Sequence, residues 1–402
     1  MRPYAHARPP IATDMEPMMD HTWMIHAADH GVTAGDRAAA AANAAALNRL
    51  LAAPDRVIVL PAGEVWIDAT LAFLQSNAQL WGAGGDLEDA AGTILRWDGP
   101  GGGTMIDMRT PPAPAGARVP RREGMGLQRL QLDGRDVADT ALRIVSVLKG
   151  ELRHVTVKGV RYRGVSFECH APGILDNRGL PVEQQAKINA NQLWALEDVY
   201  VIHDGALQAL PHAAAFAFDG APHLGNTSLN TFVNCKAMYR DCAGFRLGDA
   251  DGNVFINCDV HPFSDAGRGY GWDFQGVHAE AAGGGSFNVL LRCGWPPSNG
   301  CILRNGAFGP AVGNQFLAQD LANSGFADSA WPTREPGVPA PVMIANNGQY
   351  IGLHPRRRTD AQLRTAAERG SYEGELRYAA TARTPVFWDG AAWRRVDTRA
   401  AI

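Results

Sequence analysis

The segment Asn253-Val-Phe-Ile-Asn-Cys258 decides the fold of this chain, because close variants of it occur on both sides. They are Asn230-Thr-Phe-Val-Asn-Cys235, Asn288-Val-Leu-Leu-Arg-Cys293 and, more weakly, Asn314-Gln-Phe-Leu-Ala-Gln319. The leading asparagines are 23, 35 and 26 residues apart. Short strands that recur at variable spacing are typical of stacked coils whose loops differ in length. The pattern predicts an all-β chain that forms a single-stranded right-handed parallel β-helix.

Equivalent residues of such a solenoid should stack on one another. Successive coils lie about 4.8 Å apart, so each side chain lies above its counterpart in the preceding coil. Phe232, Phe255 and Leu290 should therefore form one column in the core. The leading asparagines should form a ladder of side-chain amides that satisfies buried polar groups.

The cysteines fit the same register. Three of them end the repeats at equivalent positions, where parallel stacking favours buried thiols over disulfides. Their spacing matches no zinc-binding pattern. We therefore expect no metal, no cofactor and reduced structural cysteines at Cys169, Cys235, Cys242, Cys258, Cys293 and Cys301.

Composition and charge limit the classes of partner. A chain of 402 residues with 45 glycines and 25 prolines is compatible with one long solenoid, since a solenoid grows by adding coils. The net charge of −4 argues against nucleic acid as a partner. No apolar run reaches the length of a membrane span, and the first ten residues show no secretory signal. An intracellular location, another export route and attachment to a virion remain alternatives.

The strongest helical signal lies near the start of the chain. Asp36 is a good N-cap, the segment from Arg37 to Ala53 is rich in alanine and leucine, and Pro54 ends it. This helix should cover the open end of the solenoid. The sequence predicts an irregular arm over 1–25, the helix with the first coils over 26–85, the β-helix body over 86–352, and a closing module over 353–402.

The strands after the helix carry a family resemblance. The order of the helix, VIVLPAGEVWI from Val57 and AQLWGAGG from Ala78 resembles the opening of the pectate-lyase-like β-helix superfamily. That superfamily includes pectate lyases, polygalacturonase-type hydrolases and phage tailspike depolymerases. Its members carry a DYGAVGDGVTDDT-like loop before the helix; here Ala28–Asp36 is shorter and lacks the paired aspartates. The resemblance implies the fold and a polysaccharide substrate, but no particular reaction, because one fold supports many.

Three other segments complete the expected organisation. The proline- and arginine-rich run Thr110–Glu123 should form an exposed loop, and Pro172–Leu193 should wall a binding groove. Asp389-Gly390 between aromatic residues predicts a hairpin at Pro385–Trp393. It resembles the hairpins that end phage tail proteins, which implies a side-by-side homotrimer.

Candidate site residues are densest between positions 259 and 280. Glycines allow close approach of a ligand there, and aromatic faces suit sugar rings. The predicted catalytic residues are Asp241, Asp259, His261, Asp265 and Asp273. The predicted substrate-binding residues are Lys236, Arg240, Arg268, Tyr270, Trp272, His278 and Arg292. A second, weaker group consists of His203, Asp204, His212, Asp219 and His223.

Two kinds of bond cleavage fit these residues. Hydrolysis needs one protonated and one ionised carboxyl, which Asp259 with Asp273, or Asp265 with Asp241, could supply. β-Elimination on a uronate needs a base such as His261 and a cation to neutralise the substrate carboxylate. We expect polysaccharide cleavage, with hydrolysis slightly favoured because carboxyls outnumber candidate bases. A polysaccharide lyase, a non-catalytic adhesin or tail protein and a sugar epimerase remain alternatives.

Overall fold

A computed structural model gives the structure of the chain. It describes residues 23–84, 92–111, 121–169, 191–204, 212–219, 227–248, 250–262, 270–274, 288–291 and 293. It also describes the strands at 303–305, 315–319, 342–346, 351–353, 357–358, 376–379, 384–388 and 393–395. No described helix is long and apolar enough to cross a membrane.

The described residues form one α-helix, two short 3-10 helices and 31 strands. The helix α1 spans Ala40–Leu51, and the 3-10 helices span Ala27–His30 and Arg37–Ala39. The first strands are β1 Met24–His26, β2 Arg56–Val59, β3 Gly63–Ile67, β4 Leu71–Phe73, β5 Ala78–Trp81, β6 Thr93–Trp97, β7 Thr104–Arg109, β8 Gly126–Asp133, β9 Thr140–Val145, β10 Glu151–Lys158 and β11 Arg163–Glu168. The middle strands are β12 Asn191–Gln192, β13 Ala195–Asp204, β14 Ala214–Asp219, β15 Thr227–Ser228, β16 Thr231–Val233, β17 Lys236–Arg240, β18 Ala243–Arg246, β19 Ala250–Asp251, β20 Val254–Ile256, β21 Asp259–Pro262 and β22 Tyr270–Phe274. The last strands are β23 Val289–Leu291, β24 Leu303–Asn305, β25 Gln315–Gln319, β26 Val342–Asn346, β27 Ile351–Leu353, β28 Arg357–Arg358, β29 Leu376–Ala379, β30 Thr384–Trp388 and β31 Trp393–Arg395.

Three rows of parallel strands form the body. The first row contains β2, β5, the first halves of β8, β10 and β13, and then β16, β20, β23, β25 and β26. The second row contains β3, β6, the second halves of β8, β10 and β13, and then β17 and β21. The third row is an eight-stranded sheet in the order β4, β7, β9, β11, β14, β18, β22 and β24. The chain is a right-handed parallel β-helix, as predicted.

The asparagine column exists as predicted for the three stronger repeats. The Asn253 Oδ1 atom accepts hydrogen bonds from the backbone N–H of Asn230 at 3.0 Å and from its side-chain amide at 2.8 Å. Asn288 Oδ1 accepts the same two bonds from Asn253, both at 3.0 Å. All three side chains are 0–1 % exposed. Asn314 lies outside the described residues, although the strand after it pairs in register with Val289–Leu291.

The apolar core is stacked in the same register. Phe232 lies over Phe255 with their ring centroids 4.6 Å apart, and Phe255 pairs in register with Leu290. Across the core, Phe216, Phe245 and Trp272 of the third row stack at 4.5 and 4.4 Å. The five described cysteines are buried, and Cys235 and Cys258 are free thiols, as predicted; Cys301 lies outside the described residues.

Among the described residues, two corners of the coil recur on residues with positive φ. Between the first and second rows these are Arg129, His154, Asp198, Asn234 and Asn257, with φ from 51° to 54°. Before the first row they are Asp55, Asn77, Gly124, Lys149, Leu193, Leu229 and Gly252, with φ from 50° to 73°. The left-handed conformation disfavours residues with a Cβ, yet most of these corners are not glycine. The corners bend the backbone without adding residues, which keeps the rows in register.

Helix α1 covers the first coil, as the sequence predicts, although its first turn at Arg37–Ala39 is a 3-10 helix. The Asp36 side chain accepts from the Ala38 N–H at 2.9 Å. Asn48 accepts from the Ala72 N–H at 2.8 Å and donates to the Thr70 carbonyl at 3.0 Å. These bonds satisfy backbone groups of β4, the terminal strand of the third row.

Two terminal predictions have different outcomes. The arm was expected to be irregular, but Met24–His26 forms a parallel strand on β2, which extends the first row. The C-terminal hairpin is confirmed, with Trp388 opposite Trp393 in an antiparallel pair. The domain boundaries remain predictions.

The expected loop at Thr110–Glu123 is wrong at its first residue. Thr110 is 0 % exposed, and its hydroxyl donates to the Ser146 carbonyl at 2.6 Å and accepts from the Arg122 N–H at 2.9 Å. Residues 112–120 lie outside the described residues. Most of the predicted groove wall at Pro172–Leu193 does too, but its end forms β12.

The ladder yields a stability prediction. Asn253→Ala removes the acceptor of two Asn230 donors, so it should lower the free energy of unfolding by about 2–4 kcal/mol in a urea titration. The matched control is Asn257→Gly, which removes an exposed amide bond of 2.8 Å to Asn234 but keeps the left-handed corner accessible. The control should cost less than about 1 kcal/mol. Equal losses of unfolding free energy in the two variants would show that the buried ladder contributes no more to stability than the exposed amide bond.

A second prediction concerns Leu229, whose φ is 58° and whose surface is 57 % exposed. Asparagine adopts the left-handed region more readily than leucine. Leu229→Asn should therefore raise the free energy of unfolding by about 0.5–1 kcal/mol. The same substitution at exposed Leu74, which is absent from the positive-φ residues, should give no increase. A loss of stability at Leu229 would show that its side chain contributes more than its backbone conformation costs.

Candidate functional site

The outer face of the third row carries a set of charged side chains. In its strands, the residues that alternate with core residues such as Phe167, Phe218, Phe245 and Trp272 point away from the core. We call these outward residues the charged row. They are Asp107, Arg109, Arg143, Glu168, Asp219, Arg246 and Asp273, together with Arg163, whose guanidinium contacts the outward Ser166 and Glu168.

Much of the charged row is buried even though it faces away from the core. Arg246 is 1 % exposed, Asp273 2 % and Asp219 5 %. Outward residues of an uncovered sheet would be accessible to water. These charges therefore belong to an enclosed surface, where burial and ion pairing mark candidate functional sites. Long connections follow the third-row strands at 112–120, 170–190, 220–226 and 275–287, all outside the described residues.

Arg163 connects the carboxylates of two successive coils. Its guanidinium donates to Glu168 Oε1 at 3.3 Å and to Ser166 Oγ at 2.9 Å, and it forms an ion pair with Asp219. It also donates to the Tyr162 hydroxyl at 2.8 Å. Since Glu168 and Asp219 pair in register, their carboxylates project from neighbouring coils about 4.8 Å apart.

Arg246 continues the row and fixes the state of His212. Its Nη2 atom donates to His212 Nδ1 at 2.6 Å. A guanidinium can only donate, so Nδ1 carries no proton and the proton of the neutral ring is on Nε2. His212 is exposed and therefore offers an N–H donor rather than a base at Nε2. Burial lowers the pKa of Arg246, while Asp219 and Asp273 oppose that shift.

Glu168 is held in its ionised form. Burial raises the pKa of this carboxyl, but Arg143, which binds Oε2 at 2.7 Å, and Arg163 together outweigh burial and lower the pKa below its usual value. Ser166 donates to it as well, at 3.0 Å. Glu168 can therefore act as a base, as a nucleophile or as an ion-pair partner, but not as the proton donor near neutral pH.

The predicted patch lies partly on another face. Lys236 pairs in register with Asp259, and His261 forms an ion pair with Asp259. Val260 between them points into the core, so Asp259 and His261 lie on the outer face of the second row. Their side chains are 36 % and 43 % exposed.

Two expectations for this patch are wrong. Asp259 belongs to the second row and Asp273 to the third, and each points away from the shared core, so the structure does not bring these carboxyls together. Trp272 was expected to contact sugar rings, but it is 0 % exposed and stacks on Phe245 at 4.4 Å. The strand alternation that points Asp273 outward points Trp272 inward.

The other predicted site residues are dispersed. Asp241 is exposed at the turn after the second row, where Arg240 ends β17, and Tyr270 begins β22. His203 lies in the core and its Nε2–H donates to the Tyr162 carbonyl at 3.0 Å, while the backbone of Asp204 pairs with Arg240. The positions outside the described residues are Asp265, Arg268, His278, Arg292 and His223.

Sequence reasoning missed Arg143, Arg163, Glu168 and Arg246. A signal was available: each lies in a strand whose other residues are mostly apolar or small, as in Arg163-Gly-Val-Ser-Phe-Glu168. Such charges repeat once or twice per coil along one face. Among the described residues, no group of three or more histidine, cysteine, aspartate or glutamate side chains could hold a metal ion.

Comparisons with known proteins found only remote structural similarity. No protein-family model and no curated protein matches the chain. A tailspike of Acinetobacter phage vb_AbaP_AS12 has a TM-score of 0.48 at 12 % identity, over 73 % of this chain and 44 % of the tailspike. Bacteriophage phi29 gene product 12, in its pre-mature form, has a TM-score of 0.45 at 15 % identity, over 72 % and 34 %. PfbA, a surface adhesin of Streptococcus pneumoniae, has a TM-score of 0.46 at 10 % identity, over 74 % and 78 %. The chain thus matches about a third of the phi29 protein and under half of the tailspike.

The ionised state of Glu168 predicts a dependence of stability on pH. A carboxyl whose pKa is lowered by folding stabilises the fold above its unfolded pKa of about 4.3, and this contribution is lost as pH falls through the folded pKa. Arg143→Gln removes the main group that lowers the pKa. The variant should therefore lose stability at pH 7 and show a smaller further loss between pH 5 and pH 3, measured by urea unfolding across this range.

The matched control for this experiment is Arg153→Gln. Arg153 is 47 % exposed on the outer face of the first row and pairs with Glu151 at 3.2 Å. It should change stability by less than about 0.5 kcal/mol. An Arg143→Gln pH profile parallel to that of the unaltered protein would show that Arg143 does not control the ionisation of Glu168.

Proposed function

We propose that this protein cleaves glycosidic bonds of an extended, bacterial extracellular polysaccharide by hydrolysis at the charged row. The observation that supports the proposal is the enclosed line of carboxylates and guanidiniums on the outer face of the third row. Arg163, Glu168, Asp219, Arg246 and Asp273 come from four successive strands of that sheet. A line of this kind is parallel to the axis of the β-helix.

The direction of the row suits a polymer. Charged groups recur about every 4.8 Å along the axis, so a chain laid parallel to it meets hydrogen-bonding groups at each coil. Carboxylates accept from sugar hydroxyls and guanidiniums donate to them. The ion pairs among these side chains hold them in place before a ligand arrives, which limits the ordering cost of binding.

The carboxyls divide between two roles. Hydrolysis needs an ionised carboxylate on one side of the scissile bond and a proton donor on the other. The lowered pKa of Glu168 fits the ionised role, as nucleophile or as the base that activates water. Asp219, in register with it, and Asp273 are the other outward carboxyls of these coils. We assign the proton donor to Asp219, because Asp273 lies three strands from Glu168, about 14 Å along the axis, which is too far for a catalytic pair of carboxyls. His212 contributes an N–H donor at the exposed end of the cluster.

A lyase or an epimerase is the second candidate, because of the arrangement at His261. Asp259 contacts this imidazole, and Lys236 projects from the coil before. Both reactions begin by removing the C5 proton of a uronate, which needs a base and a cation beside the carboxylate. A non-catalytic adhesin would need neither group. The homotrimer remains a prediction.

The activity test uses a panel of acidic and neutral polysaccharides. We expect new reducing ends without the low-ultraviolet absorbance of unsaturated uronates. Glu168→Gln should lower the rate by about 100-fold or more, since the amide can neither attack nor accept a proton. Glu197→Gln is the matched control: Glu197 is exposed on the outer face of the first row and should leave the rate unchanged.

The other outcomes separate the alternatives. The lyase would be favoured if new reducing ends appear together with the low-ultraviolet absorbance of unsaturated uronates. In that case His261→Ala should abolish the activity and Glu168→Gln should not. Binding of a polysaccharide without new reducing ends would favour the adhesin. If the C5 proton of the bound uronate also exchanges with solvent, the epimerase would be favoured instead. Thermal midpoints of each variant by circular dichroism show whether a lost rate reflects lost folding.

A further inference from the structure

A second line of polar side chains lies on the outer face of the second row. Gln131, Thr156, Tyr200 and Lys236 pair in register on successive strands. Each alternates with core residues and points away from the core. We call this line the polar column. It lies on a different sheet from the charged row.

The polar column differs from its neighbour in lacking internal partners. In the adjacent column, Asp133 pairs with Arg96 and with Lys158, both at 3.8 Å. The four side chains of the polar column have no hydrogen bond or ion pair within the part of the chain that the structure describes. Gln131 is only 3 % exposed, and its amide nitrogen is buried without an acceptor. Buried donors in native proteins are nearly always paired, so an orphan amide here suggests that a ligand supplies its acceptor.

The chemistry of the column fits an extended polyhydroxylated chain. It carries the amide of Gln131 and the hydroxyl of Thr156, which are 3 % and 2 % exposed, and the half-buried phenol ring of Tyr200 and ammonium group of Lys236. The four groups lie about 4.8 Å apart and span about 14 Å. The ring of Tyr200 offers an apolar face for a sugar ring, and half-buried Ile202 and Met238 lie in the next column. Lys236 adds a positive charge that would pair with an acidic substituent of the glycan.

Other occupants fit this face less well. A protein strand would bind to an unpaired strand edge, whereas the second row is paired on both sides over these coils. Nucleic acid would meet the carboxylate of Asp259, which continues the column on β21, and that of Asp133 in the adjacent column.

We infer that the polar column is a second glycan-binding site, which anchors the polymer without cleaving it. The inference takes only the class of polymer from the proposed function, because binding at the polar column does not require any residue of the charged row. The short turn from Arg240 to Ala243 joins the second and third rows, so both sites run along the same axis. A long polymer can therefore occupy both sites on one molecule, which raises the effective concentration at the cleavage site.

The test measures binding in the absence of cleavage. In the full chain carrying Glu168→Gln, mobility is followed in native gels that contain hyaluronan, polygalacturonate, dextran or a bacterial capsular polysaccharide. Tyr200→Ala should raise the dissociation constant by about tenfold for every polymer that binds. Lys236→Met should weaken only the acidic polymers, with a smaller dependence on salt. Lys149→Met, at an exposed corner, is the matched control and should leave binding unchanged.

The two proposals fail separately. If Tyr200→Ala and Lys236→Met leave binding unchanged, or if no polymer of the panel binds, the second site is overturned even if the protein cleaves. If Tyr200→Ala weakens binding but the unaltered protein makes no new ends, the second site stands and hydrolysis fails. Thermal midpoints equal to that of the Glu168→Gln protein exclude misfolding as the cause of weaker binding.

Discussion

The structure depends on a fixed register between coils, which the buried asparagines and the left-handed corners maintain together. The Oδ1 atoms of Asn253 and Asn288 each accept two hydrogen bonds from the coil before, so a shift by one residue would leave several buried donors unpaired. The corners have a related effect. They bend the backbone at the same position of each coil, so variation in length is confined to the loops between rows.

Both candidate sites follow from this register. Side chains alternate between the core and the outer face, so a residue type that recurs at an outward position becomes a line along the axis. On the third row the line consists of paired charges, with Arg163 between Glu168 and Asp219. On the second row it consists of polar groups without internal partners. Neither line needs a loop to bring its members together, because strand pairing does so.

The sequence predicts the asparagine ladder and the fold well, because both depend on a short pattern that repeats. It predicts the candidate site less well, because the site depends on which face of a strand each residue occupies. The ladder can be recognised because the same short pattern repeats around Asn230, Asn253 and Asn288. Trp272 shows where such reasoning fails: its neighbours are glycine and aspartate, which suggest a surface, but strand alternation places it in the core. Glu168 is missed because the residues that make it notable, Arg143 and Arg163, are distant in sequence or separated from it by core residues. Local density of polar residues identifies loops, whereas the charged row is spread one or two residues per coil.

The charged row also explains why a rigid solenoid can hold buried charge. Removing a carboxylate and a guanidinium from water costs several kcal/mol for each ion unless both are paired with good geometry. In a flexible loop, ordering these long side chains would add an entropic cost. On stacked strands the backbone is already ordered. Arg163 lies between Glu168 and Asp219, and Arg246 lies near Asp219 and Asp273. The register that satisfies the asparagine ladder inside the coil thus also fixes the spacing of the charges outside it. A substitution that disturbs the ladder near Asn230 should therefore disturb the pairing of Arg246 through the coil to which both belong, whereas a substitution in the charged row leaves the ladder intact.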